Sequence, residues 1–233
     1  MAKHFIVGAG GTGMRQLESF VHLCSAGVFP NDEFHLLSID TDVTNGNRSK
    51  LIRLTELYEK IKGDDIPSDS GLFSAKIKSY HFAAIYNEES EISIEQIIQQ
   101  LNIDNEDNIE LSKLLLSENT RSFSLEHGYK AQTQLGSLHM FASILNSMHK
   151  FFHGTTADRS KNNIIHNYLN EMTEDSQLFV VGSVFGGTGA SSVPIIPKAF
   201  KAAYKYISLT NSLPIAILTT ASTAIAMTTP LWR

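Results

Sequence analysis

"FVVGSVFGGTGASS", residues 179–192, runs from an apolar stretch through a cluster of glycines into alanine and serine. β-type residues that stop at glycine and resume as a helix read as strand, turn, helix. "FIVGAGGTGMRQL", residues 5–17, has the same grammar near the amino terminus. There Gly8, Gly10 and Gly13 fit G-x-G-x-x-G, with Gly11 and Thr12 inside the loop. Glycines in such a turn let backbone N–H groups approach a phosphate, and the helix that follows adds its partial positive charge. One such loop is a weak signal, because a glycine turn with no ligand matches it equally well. In the second loop Gly186, Gly187 and Gly189 free the backbone, while Thr188, Ser191 and Ser192 offer hydroxyl donors around Ala190. Neither loop ends in the G-K-[ST] of a P-loop. Two anion-binding loops on one sheet suit a triphosphate better than a single pyrophosphate.

Working outward, Phe5 to Val7 reads as a strand, Met14 to Ala26 as a helix, and "FHLLSI" as a second strand ending at "DTD", residues 40–42. That order is a βαβ unit and implies a parallel sheet. Residues from about 43 to 120 read as a helical insertion, with helices at "LIRLTELYEKI" and "SIEQIIQQL" and an acidic linker at "NIDNEDNIE". Apolar residues Leu135, Leu138, Phe141, Ala142, Leu145 and Met148 recur at helical spacing and predict a core-facing helix over 131–152. A further helix is expected over 158–172 with Asp158 as its cap. "QLFVVGS" and "LPIAILTT" read as buried strands, and 190–206 as a helix that Pro194 and Pro197 restrict to its first turn or kink. The expected fold is one α/β domain over 1–233, a Rossmann-like parallel sheet flanked by helices.

Composition narrows the partners. Hydrophobic residues at 42% against 18% charged give a chain able to bury a core. A net charge of -5 with no basic run argues against nucleic acid. The single cysteine, Cys24, excludes an internal disulfide framework and suits a reducing cytoplasm. The longest apolar stretch is broken by threonines and is short of a membrane span, and the amino terminus lacks signal-peptide form. A cytoplasmic protein is expected.

The two loops together resemble the tubulin/FtsZ superfamily. "FGGTGAS", residues 185–191, keeps the G-G-T-G centre of the family's phosphate-gripping signature. "IDTD" after the second strand resembles the segment that lies near the terminal phosphate and metal, and "PIAILTT" the strand that follows the signature. "GYKAQTQLGSLHMF", residues 128–141, is similar to the segment opening the preceding helix in divergent bacterial tubulin-like proteins. The resemblance spans about residues 3 to 223, apart from 43–120. It implies a tubulin/FtsZ-type GTPase domain that binds GTP or GDP, with Mg2+ beside a triphosphate, and head-to-tail self-assembly. It also implies that a central helix and an activation domain would follow residue 223, so this chain is expected to lack them. The departures are Phe185 and Ser191, where the signature has glycines, and Met14 and Arg15 near a guanine-recognising asparagine.

Asp40 and Asp42 carry several readings. An acid at the end of strand two binds ribose hydroxyls in a dinucleotide fold, lies near metal in a tubulin-like one, or sits in a plain turn. "NIDNED", residues 102–107, matches the family's N-x-D-x-x-D activating pattern but precedes the signature, so an acidic linker is the expected reading. His149 and His153 lack the glutamate of H-E-x-x-H and read as exposed helix residues. Hydrolysis by this chain alone is expected to be slow or absent, with no catalytic residue assigned. The competing readings are a Rossmann-type NAD or FAD oxidoreductase and a non-hydrolysing nucleotide sensor or scaffold.

Overall fold

The computed structural model describes residues 3–30, 32–42, 44–63, 71–84, 110, 117–118, 129, 132–156, 163–173, 176–205, 207, 216–221 and 224–226. In chain order the elements are β1 (Lys3–Ala9), α1 (Gly10–Ser25), β2 (Glu33–Asp40), α2 (Gly46–Lys62), β3 (Lys76–Ala83) and α3 (Thr133–His153). There follow α4 (Ile164–Asn170), β4 (Gln177–Gly182), α5 (Gly187–Ser192), α6 (Ile196–Tyr204), β5 (Ala216–Ala221) and β6 (Ala224–Ala226). The strands form one sheet in the order β3-β2-β1-β4-β5-β6. Every neighbouring pair is parallel except β5 with β6, which is antiparallel.

Both faces of this sheet are covered, which is why its strands read as apolar runs rather than as alternation. Within β1, Phe5, Val7 and Ala9 join one buried cluster and Ile6 joins the other, as the two-residue period of a strand requires. On the first face Val7, Leu37 and Val180 share a core with Met140 of α3, Tyr168 of α4 and Phe200 of α6. On the second, Ile6, Leu36 and Ile77 share a core with Leu17 and Val21 of α1 and Leu51 of α2. Each such side chain, fully buried, contributes about 1.5–3 kcal/mol. Beside α1 the sheet is less completely covered, and Phe20, Phe29, Phe34 and Phe179 line an apolar groove of about 480 Å3.

The parallel α/β sheet flanked by helices is as expected, with three corrections. First, the stretch from 43 to about 120 is not a helical insertion throughout. It opens with α2, which holds the expected "LIRLTELYEKI" helix, and continues into β3, an integral strand paired with β2 from Glu33↔Lys76 to Asp40↔Ala83. Lys76, Lys78, Ser79 and His81 make β3 too polar to read as a buried strand, and among the described residues it pairs with β2 alone. Second, α1 starts at Gly10, not Met14, because the glycine turn is itself the first helical turn. Third, the single helix expected over 190–206 is two: α5 ends at Ser192, and α6 starts at Ile196 with proline in its first positions.

Helix α4 is capped by Asn163, whose side chain accepts from the His166 N–H at 2.8 Å; the expected cap Asp158 lies outside the described residues. "SIEQIIQQL" and "NIDNED" also lie outside them. No helix among the described residues is long and apolar enough to cross a membrane.

Candidate functional site

The chain leaves β1 toward β2 and β3 on one side, and leaves β4 toward β5 on the other. The order therefore reverses between β1 and β4, the place where open α/β sheets leave a crevice at the carboxyl ends of their strands. The two glycine loops are the two loops that meet there. Ala9 and Gly182, the last residues of β1 and β4, are partners in register.

The glycines divide the work. A Cβ on Gly8 would lie 2.7 Å from Leu17 Cδ1, and one on Gly13 would lie 2.9 Å from the Val181 carbonyl oxygen. These two let α1 start hard against β1 and β4. Gly10 has φ +70°, a left-handed conformation that disfavours side chains, and its Cβ would meet Thr188 Cβ at 3.1 Å. Gly11 faces a third element, since its Cβ would lie 2.9 Å from Asn47 Nδ2 and 3.1 Å from Asn45 Nδ2. Gly189 packs on the backbone of Ser183, whereas Gly186 is exposed, with open space where a Cβ would stand.

Both helices that start in these loops lack a side-chain cap and an acidic residue in the first turn. Helices α3 and α6 also lack a cap, but neither begins in a glycine turn; α2 and α4 are capped by Asn45 and Asn163. An uncapped first turn leaves backbone N–H donors without an intrahelical acceptor. Gly11, Thr12, Gly187, Thr188 and Ala190 are half-buried, so the paired loops are reachable from solvent. Phe185, at the signature's first glycine position, is 81% exposed, and so its ring does not crowd the loop. Ser191 is fully buried and its hydroxyl donates to the Gly187 carbonyl, which gives it a role inside the loop.

Asp40 and Asp42 differ. Asp40 is buried at the end of β2, and its carboxylate accepts from Thr41 N–H at 2.8 Å, Asp42 N–H at 3.4 Å and Asn45 Nδ2 at 3.1 Å. Burial pushes its pKa above the ordinary value against those hydrogen bonds. Asp42 closes a local turn, accepting from Thr44 N–H at 2.9 Å and Thr44 Oγ1 at 2.7 Å. Beside them, Arg48 of α2 is held down by burial and up by Asp40, and its Nη2 donates to the His81 carbonyl at 3.4 Å. Burial, with Arg48 nearby, pushes His81 down to about 4, and its Nδ1 is bonded to Ser38 Oγ at 2.8 Å.

Sequence reasoning missed Asn45, Asn47 and Arg48. The N-cap pattern at Asn45 was readable. That α2 begins against Gly11 was not.

A phosphate fits what is here. Two uncapped helix starts converge, Gly186 leaves room beside them, and Thr41 Oγ1 next to Asp40 is buried without a partner. No protein-family model, curated protein or solved structure matches this chain.

At the opposite, amino-terminal end of the strands, Glu33, His35 and Glu171 bring ligand atoms within 4.8 Å of one another. Lys3 and Lys78 already pair with Glu171 at 2.8 and 3.2 Å, and Lys78 with Glu33 at 3.6 Å. The cluster is internally neutralised and fastens β1, β2, β3 and the end of α4. His149 and His153 are neighbouring exposed residues of α3.

Proposed function

We propose that this chain is a nucleotide-binding protein of tubulin/FtsZ-like type, gripping GTP or GDP between its two glycine loops. The observation that carries the reading is the meeting of two uncapped, glycine-started helices where the strand order reverses. Backbone N–H groups of Gly10, Gly11 and Thr12 would hold one part of the phosphate chain, and those of Gly187, Thr188 and Gly189 another. The hydroxyls of Thr12 and Thr188 add donors. Guanine, and the tubulin/FtsZ assignment itself, rest on the sequence motifs "FGGTGAS" and "IDTD".

A triphosphate would bring Mg2+, whose charge offsets that of the phosphates. Asp40 is already engaged by three donors and Asp42 by its own turn. Phosphate oxygens and water would therefore supply most of the ion's ligands, as Mg2+ commonly prefers. Both carboxylates already accept hydrogen bonds, which compete with a role in deprotonating water, so the isolated chain would hydrolyse GTP slowly. The partner that the resemblance implies is a neighbouring copy in head-to-tail assembly.

A dinucleotide-binding oxidoreductase shares the strand order. It leaves the second glycine loop without a task, and the acids it offers for ribose are Asp40, buried and engaged, or Asp42, which accepts from Thr44 in its own turn. Calorimetry with GTP, GDP, ATP and NAD separates the two. The proposal expects GTP or GDP to bind tightest; NAD binding tighter than all three nucleotides would reverse it.

A further inference from the structure

The amino-terminal turns of α3 are built against the second glycine loop. Gly136 has no side chain, and the space its Cβ would take is filled by the Tyr129 ring and the Ser191 hydroxyl. Next to it, Ser137 Oγ donates to the Ser191 carbonyl at 2.8 Å. The Ser191 hydroxyl in turn donates to the Gly187 carbonyl. A chain of contacts thus runs from α3 to the peptide at the centre of the loop.

Tyr129 is anchored from behind. It is buried, and its hydroxyl is bonded to Nδ1 of buried His139, one turn along α3 from Gly136, at 3.0 Å. The rings meet edge to face, with centroids 5.7 Å apart. Burial pushes His139 down to about 4 and the Tyr129 hydroxyl up, so both are neutral near pH 7.

Resting on the nucleotide reading, we propose that Ser137, Tyr129 and His139 are positioning residues for the second glycine loop. Tyr129 presses Ser191 into place, Ser137 holds its carbonyl, and Ser191 fixes the Gly187 peptide before ligand arrives. A loop of small residues loses much conformational freedom when it closes on a ligand. Presetting it removes that cost from binding. Ordinary core packing of α3 would not need a hydroxyl at 137 or at 129.

The test uses the full chain with GDP as probe and two readouts. Ser137→Ala should weaken GDP binding by about fivefold, the equivalent of one hydrogen bond. It should also speed amide hydrogen exchange at Gly187 to Ser192 in the ligand-free protein. Ser137→Thr, which keeps the hydroxyl, should restore both. Tyr129→Phe keeps the ring against Gly136 but leaves buried His139 Nδ1 without this partner, so it should loosen the same amides and lower the thermal midpoint by a few degrees. Unaltered exchange and affinity in both Ser137→Ala and Tyr129→Phe would overturn the positioning role with the nucleotide reading intact. A parent protein that binds no GDP would sink the nucleotide reading instead, and the exchange data alone would then decide whether α3 sets the loop.

Discussion

Gly10 and Thr188 touch across the two glycine loops: the space for a Gly10 Cβ ends 3.1 Å from Thr188 Cβ. Residues far apart in sequence thereby bring the first turns of α1 and α5 side by side, and the strand order that does this is the reversal between β1 and β4. A single anionic ligand would be in reach of both.

Gly10→Ala meets two penalties, a left-handed backbone and the Thr188 contact. The substitution should cost about 1–2 kcal/mol in stability, read by urea denaturation, and weaken GDP binding at least about tenfold. Gly186→Ala meets neither, since nothing lies within 4 Å of its Cβ. Its stability should stay within about 0.5 kcal/mol of the parent while nucleotide affinity falls, because the methyl enters the open space beside the loop. If the two variants lose stability equally, the division of labour among these glycines is wrong.

Thr188→Ala should weaken GDP binding by about 1 kcal/mol through loss of one hydroxyl donor. Phe185→Gly should leave both stability and GDP affinity near the parent values, because Phe185 is 81% exposed. Calorimetry and thermal denaturation of the pair check this. A large loss in Phe185→Gly would mean that its ring touches the ligand.

Acid should destabilise the fold. Burial lowers the pKa of His35, His81 and His139, the latter two to about 4 from an ordinary 6.5. Between those values the unfolded chain takes up protons that the folded chain refuses, so stability rises with pH across that window and flattens above it. Glu171 acts in the same direction at lower pH. Its hydrogen bond from Lys3, with further help from Lys78, holds it at about 2, so its contribution is present above about 4.5 and disappears as pH falls through 2. Urea midpoints should fall steadily from about pH 6.5 to about pH 4, and His139→Gln should reduce that slope. A midpoint independent of pH over this range would contradict the burial of these rings.

Phosphate release from GTP with magnesium should be slow and independent of protein concentration. Turnover that rises with concentration and vanishes in Asp104→Ala would make "NIDNED" an activating loop.

Much of the sheet was legible because β1, β2 and β4 are buried on both faces and so announce themselves as apolar runs. β3 was not, since four of its residues are lysine, serine or histidine and only Ile77, Tyr80 and Phe82 give an apolar signal. The glycine loops were legible as motifs, and their meeting followed once the strand order was known. What the sequence hid was the inward turn of Ser191 to Gly187, and Asn45 and Asn47 brought against Gly11. The contact of Asn45 and Asn47 with Gly11 joins residues of different elements, and no spacing along one element encodes it.

Amide hydrogen exchange on titration with GDP and magnesium tests the central claim, that both loops hold one ligand, most directly. The account predicts that the amides of Gly10 to Gly13 and of Gly187 to Ser191 gain protection together, with one midpoint. Protection of the first loop alone, or of either loop by NAD but not by GDP, would contradict it.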